Sequence, residues 1–75
     1  MEESKQADHL KDIVERIMEF NNGDPHIASS KIVHYLRRKL KMTKTQANTT
    51  LDRISLQYME LVETRGKEKF YKILL

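Results

Sequence analysis

Residues 51–74 read LDRISLQYMELVETRGKEKFYKIL, and the fold turns on whether this stretch is one long helix or a helix followed by two strands. Leu51, Ile54, Tyr58, Leu61 and Val62 fit a single helical stripe that would end near Gly66. The alternative stops the helix near Gln57 and makes strands of residues 59–64 and 69–74, joined through Arg65, Gly66, Lys67 and Glu68. Three features favour the strands. A glycine stands where a tight turn needs positive φ, the run Phe70-Tyr71-Lys72-Ile73 is rich in strand formers, and the two arms are similar in length.

The stretch just before, residues 42–54, reads MTKTQANTTLDRI. Thr43 is placed to cap a helix, Gln46 follows at the spacing of a capping box, and Ala47, Leu51 and Ile54 recur as a narrow apolar stripe. This predicts a helix over 44–57. Its other faces carry Lys44, Thr45, Gln46, Asn48, Thr49 and Arg53. Asn and Gln pair with adenine edges, Arg with guanine, and Thr with a base or a phosphate, so the pattern suits a recognition helix. A solvated surface helix fits the same residues equally well.

Upstream, Ser29 or Ser30 offers an N-cap for a second helix over 30–41. Ile32, Val33, Leu36 and Leu40 form its apolar stripe, ringed by Lys31, Arg37, Arg38, Lys39 and Lys41, whose long stems cover apolar surface while their charges reach outward. His34 on this helix reads as a surface or packing residue. The turn to the next helix, about Leu40 to Thr43, has no glycine. Lys41 and Met42 are therefore expected in ordinary backbone conformations, with Met42 filling the space between helices. Residues 26–28 suit a short extended piece that sends Ile27 to the core and pairs with a later strand. Before them, Leu10, Ile13, Val14, Ile17 and Met18 predict a first helix over 5–22, with Asp12 and Arg16 at pairing distance. Gly23 would take the left-handed conformation at its end, and Pro25 bars continuation.

Seventy-five residues make a single domain with one modest core. Without cysteine there is neither a disulfide framework nor a thiolate metal site. No apolar run is long enough to span a bilayer, and the N-terminal stretch MEESKQADHL lacks the apolar core of a signal peptide, so a cytoplasmic protein is expected. The formal charge of +3 is unevenly spread. Residues 1–24 carry seven acids against three basic residues, the remainder eleven basic residues against four acids, and none of those acids lies between Lys31 and Leu51. Such a division suits a molecule with one face turned to a polyanion. A short basic run is usually just a solvated face, but here it coincides with the candidate recognition helix. Catalysis finds no support: His9, His26 and His34 are scattered, no pair has metal-ligand spacing, and no glycine-rich phosphate loop is present. Neither a cofactor, a metal nor a small-molecule ligand is expected.

The segment LDRI leading into ELVETRGKEKFYKIL, preceded by a basic helix and a polar helix, resembles the winged helix-turn-helix family of DNA-binding domains. The resemblance runs from the first helix to Leu74. It implies an α+β fold of three helices with a C-terminal β-hairpin wing, although the glycine that often precedes the first wing strand is missing near Tyr58 and Glu60. It further implies that the third helix enters the major groove, with Thr45, Gln46, Asn48, Thr49 and Arg53 nearest the bases. Lys44 would meet a phosphate at the helix N-terminus. Lys31, Arg37, Arg38 and Lys41 would contact the backbone from the second helix, and Arg65, Lys67 and Lys69 from the wing. Asp52 is the residue that fits this scheme least. The expected function is sequence-specific binding of double-stranded DNA by a small transcriptional regulator, acting as a homodimer and, in a prokaryote, at the nucleoid. The alternative is a winged-helix protein-interaction module within a larger assembly, since fold alone does not assign function.

Overall fold

The computed structural model describes residues 2–75, with side chains from His9 onward. Its elements run α1 (Glu2–Phe20), β1 (His26–Ala28), α2 (Ser29–Lys39), α3 (Lys44–Tyr58), β2 (Met59–Arg65) and β3 (Glu68–Ile73). The three strands form one antiparallel sheet in the order β1-β3-β2, giving an α+β fold with a winged-helix-like layout. The wing is therefore two strands of a three-stranded sheet and not a free hairpin. The short piece at 26–28 pairs with the last strand as expected, His26 opposite Lys72, Ile27 opposite Tyr71 and Ala28 opposite Phe70. The side chains of Glu2, Glu3, Lys5 and Asp8, part of the expected anionic segment, lie outside the described residues.

Helix α1 buries Ile13, Val14 and Ile17, the centre of its predicted stripe, with Leu10, Met18 and Phe20 packed at the margin. Asp12 and Arg16 pair at 3.1 Å on the exposed side, a contact worth a few tenths of a kcal/mol, by the order of magnitude of exposed helix pairs. The helix begins and ends earlier than the predicted 5–22. It closes in a Schellman arrangement, Gly23 N–H donating to the Met18 carbonyl at 2.8 Å and Asn22 N–H to that of Glu19 at 3.0 Å. The left-handed position that ends it is Asn22 at φ +59°, with Gly23 following at φ +79°. Gly23 is left-handed as expected, and Asn22 shares that region because asparagine tolerates it better than other side chains.

Asn21 locks that corner together. It is the one buried polar residue among those described, at 8% exposure. Its Nδ2 donates to the carbonyls of Asp24 and His26, both at 2.9 Å, and its Oδ1 accepts from the Lys31 ammonium at 2.5 Å. One side chain thus joins the end of α1, the loop, the start of β1 and α2.

Helix α2 starts one residue and stops two residues before the predicted bounds. The capping position falls on Ala28, which has no side-chain acceptor, so neither Ser29 nor Ser30 acts as the N-cap. Leu40 is its C-cap, and Lys41 then adopts φ +58°. The expectation of ordinary geometry at Lys41 is overturned: four residues separate the two helices, and reversing the chain in that span takes one left-handed residue. Met42 N–H donates across the turn to the Leu36 carbonyl at 3.2 Å.

Helix α3 begins with the predicted capping box. Gln46 N–H donates to Thr43 Oγ1 at 3.1 Å and Thr43 N–H to Gln46 Oε1 at 3.0 Å. Ala47, Leu51 and Ile54 are buried. The continuous-helix alternative is excluded, because Tyr58 ends α3 and the next residue, Met59, begins β2 with no glycine and no intervening loop. Met59 N–H still donates to the Ser55 carbonyl while its own backbone is extended, so one residue serves both elements. The wing turn is also tighter than predicted. Arg65 pairs with Glu68, which leaves only Gly66 and Lys67 as the loop, with φ +59° at Gly66. A bulge between Leu61 and Glu63 kinks β2 on its way out from the body.

The sheet's inner face brings Ile27, Met59, Tyr71 and Ile73 onto Ile32, Tyr35 and Leu36 of α2 and the buried stripes of α1 and α3, making a single core. Phe20 meets Tyr35 edge-on at 5.0 Å between ring centres, sealing the end nearest Asn21.

Candidate nucleic-acid interface

An open groove of about 970 Å³ lies between α2, the start of α3 and the wing. Its floor is apolar, built from Val33, Met42 and Leu51, and its walls bring together Arg37 and Arg38 from α2, Asn48 from α3, and Arg65 and Lys67 from the wing tip. These five contacts are expected from three separate parts of the sequence. They meet because the short α2–α3 turn lays the C-terminal half of α2 beside α3, while the hairpin, springing directly from α3, folds back over the N-terminal end of α2.

The other nominated residues are distributed differently. Thr45, Gln46, Thr49 and Arg53 line a second, smaller cleft of about 340 Å³ on the opposite side of α3, where His9, Leu10 and Ile13 of α1 form the other wall. All four are exposed, as is Asn48, so α3 presents hydrogen-bonding side chains on both flanks of its outer surface. Lys41, Lys44 and Lys69 are exposed but line neither cleft. Lys31 is engaged elsewhere: besides its bond to Asn21, its ammonium sits 5.6 Å from the centre of the Phe20 ring. Asp52 is exposed on α3 one turn after Asn48, and Leu56, one further turn along, is 86% exposed.

Arg65 contacts two neighbours within the wing. Its Nε donates to the Glu63 carboxylate, and its guanidinium carbon lies 5.7 Å from the centre of the Phe70 ring. An arginine braced against an aromatic face and one carboxylate has less rotamer freedom to lose on binding phosphate.

Four polar groove residues, Ser29, Ser30, His34 and Glu68, are absent from the contact set expected from sequence. His34 lines the wall one turn before Arg37 and Arg38. Glu68, read only as part of the turn, accepts a hydrogen bond from Ser30 N–H at 3.0 Å, and the next residue, Lys69, donates its N–H to Ser29 Oγ at 3.2 Å. Hydrogen bonds from Ser30, side chain first and amide second, with a further one from Ser29, hold the Glu68 carboxyl below its ordinary value. No local pattern signals this pairing, which joins positions almost forty residues apart. Outside the groove, Asp24 is also lowered, chiefly by the His26 amide, which donates to Asp24 Oδ1 at 2.9 Å.

No group of three or more His, Cys, Asp or Glu residues suited to a metal ion exists among the described residues. No described helix is long and apolar enough to cross a membrane. Comparison with family models, with curated protein sequences and with solved structures gave no match.

Proposed function

We propose that this chain is a winged helix-turn-helix protein that binds double-stranded DNA, with α3 in the major groove and the wing on the flanking backbone. The observation that carries the reading is the gathering of Arg37, Arg38, Asn48, Arg65 and Lys67 around one groove, from two helices and a β-hairpin. Four cations round an open concavity suit a run of phosphates, and the Asn48 side chain carries the amide that pairs with an adenine edge. Thr45, Gln46, Thr49 and Arg53, on the other flank of the same helix, extend the base-reading surface. Sequence specificity, a role in transcriptional regulation and action as a homodimer on paired half-sites belong to the same proposal.

Fluorescence anisotropy with mixed-sequence duplex, followed across a salt series, tests it. Neutralisation of four phosphates by Arg37, Arg38, Arg65 and Lys67 gives a log-log salt slope of about −3 to −4. Arg37→Ala with Arg38→Ala weakens every sequence alike, whereas Asn48→Ala relaxes preference at particular base pairs in a site selected from a random pool. Absence of binding at low salt, or a flat salt dependence, overturns the proposal.

One observation favours a second reading, a protein-interaction module. Leu56, Leu61, Val62, Leu74 and Leu75 are all half or more exposed, or nearly so, which is a large apolar share for the surface of a small domain. A flat salt dependence together with a stable complex with a protein partner supports that reading instead.

A further inference from the structure

We propose that Glu68 is a positioning residue that pins the wing to the N-terminus of α2 and thereby fixes Arg65 and Lys67 opposite Arg37, Arg38 and Asn48. Its effect on binding rests on the duplex-binding reading; the pin itself does not. Helix α2 begins without a side-chain cap of its own, because Ala28 occupies the capping position. A helix start leaves unsatisfied N–H groups with partial positive charge, and a carboxylate is the acceptor that suits them. Glu68 supplies it from the first residue of β3, through Ser30 N–H. The adjoining Lys69 N–H returns a bond to Ser29 Oγ, so two consecutive wing residues are tied to two consecutive helix residues in opposite senses. Such a paired arrangement fixes direction as well as distance. Lys67 and Arg65 stand one and three residues from Glu68 across the tight turn, so the tie lies at the base of the two wing cations.

Two changes that remove the same charge have effects of opposite sign. Among the described residues, Glu68 is the one acid lining a groove that also holds four cations. If it acted only through charge, every neutral replacement would strengthen binding to a polyanion. As a pin it behaves otherwise. Glu68→Gln keeps an oxygen that accepts from Ser30 N–H while removing the repulsion, and raises duplex affinity by roughly two- to fivefold, the range of an exposed charge contact. Glu68→Ala frees the wing, and the salt slope becomes shallower by about two as Arg65 and Lys67 lose their phosphates. Its affinity falls despite the lost negative charge.

The experiment combines amide hydrogen exchange of the free chain with anisotropy on mixed-sequence duplex, for wild type, Glu68→Gln, Glu68→Ala and Ser29→Ala. The expected result is protection of the Ser30 amide in wild type and Glu68→Gln and its loss in Glu68→Ala. Protection of the Lys69 amide is lost in Ser29→Ala, a milder change that keeps the acid in place and tests the pin should Glu68→Ala fail to fold. Unchanged protection at Ser30 in Glu68→Ala, or at Lys69 in Ser29→Ala, overturns the pin whatever the duplex does. Equal strengthening of binding by Glu68→Gln and Glu68→Ala overturns the positioning role. A wild-type chain that binds no duplex defeats the duplex-binding reading and the positioning role with it, while the exchange data still decide whether the pin exists.

Discussion

Replacement of Asn21 should loosen the corner from which the sheet's first strand departs, by an amount that follows from its bonds. Its two donated bonds to the Asp24 and His26 carbonyls are each 2.9 Å, and the side chain is almost wholly enclosed. At about 0.5–1.5 kcal/mol for each neutral hydrogen bond, Asn21→Ala forfeits roughly 1–3 kcal/mol from that pair. The contact to Lys31 adds little, because that lysine is exposed. A domain of this size has a total stability of roughly 4–11 kcal/mol, so the loss is a large fraction of the whole. With about 4–8 °C per kcal/mol for domains of 60–100 residues, a loss of about 2 kcal/mol lowers the melting temperature by about 8–16 °C. Asn21→Asp is the sharper variant. It preserves volume and still accepts from Lys31, but it turns an oxygen toward two carbonyls that need a donor. Near neutral pH it should therefore be at least as damaging as alanine, and it should recover in part in acid, where a protonated carboxyl regains one donor. Urea unfolding followed by far-ultraviolet circular dichroism measures both, the expected change being a lower midpoint at unchanged m value. An Asn21→Asp midpoint equal to wild type at neutral pH refutes the assignment of those two bonds as the stabilising element.

Lys41→Gly should raise stability by about 1 kcal/mol in the same assay, because the left-handed backbone at φ +58° costs an L side chain about 1–2 kcal/mol that glycine does not incur; a loss would show that the lysine side chain contributes more than its backbone strain removes. Thr43→Ala, which deletes one arm of the capping box, should cost about 1 kcal/mol, with the loss of helix content concentrated in the first turn of α3 by hydrogen exchange. Stability should be level through neutral pH and fall in acid. Asp24 and Glu68 both have lowered carboxyl values, so their contributions are complete above the ordinary carboxylate range and vanish as pH drops through the lowered values. Glu68→Gln should flatten part of that acid limb in a pH series of urea midpoints, and an unchanged limb would remove Glu68 from the account.

What the chain discloses in advance follows the range of the interaction that sets each feature. The apolar stripes of α1, α2 and α3 and the Thr43–Gln46 box are repeats over three or four residues, and all were legible. The wing was legible from Gly66 and the aromatic return strand, although its register was not: pairing Arg65 with Glu68 depends on the whole ladder settling around Tyr71 and Ile73 in the core. The misjudged features are those where distant partners decide. Ser29 and Ser30 look like helix caps, yet the chain enters α2 from a strand already paired with β3, so the cap falls on Ala28 and the acceptor comes from Glu68. Lys41 carries no local mark of its left-handed backbone, which is imposed by the packing of two helices across a four-residue turn. For the candidate site, composition and spacing identified the cations but not their division. That Asn48 faces the α2–wing groove while Thr45, Gln46, Thr49 and Arg53 border α1 depends on how α3 is rotated against its neighbours.

The sheet order has a consequence for how the molecule assembles. Among the described residues, strand β1 pairs only with β3, the last strand in chain order, and the two meet only when His26 reaches Lys72. The three helices and the β2–β3 ribbon are joined by short connections, so they form from neighbours in sequence, while the β1–β3 seam requires closing a loop that contains α2, α3 and β2. That seam should be the slow step of folding, and the first to part under load applied at the two ends.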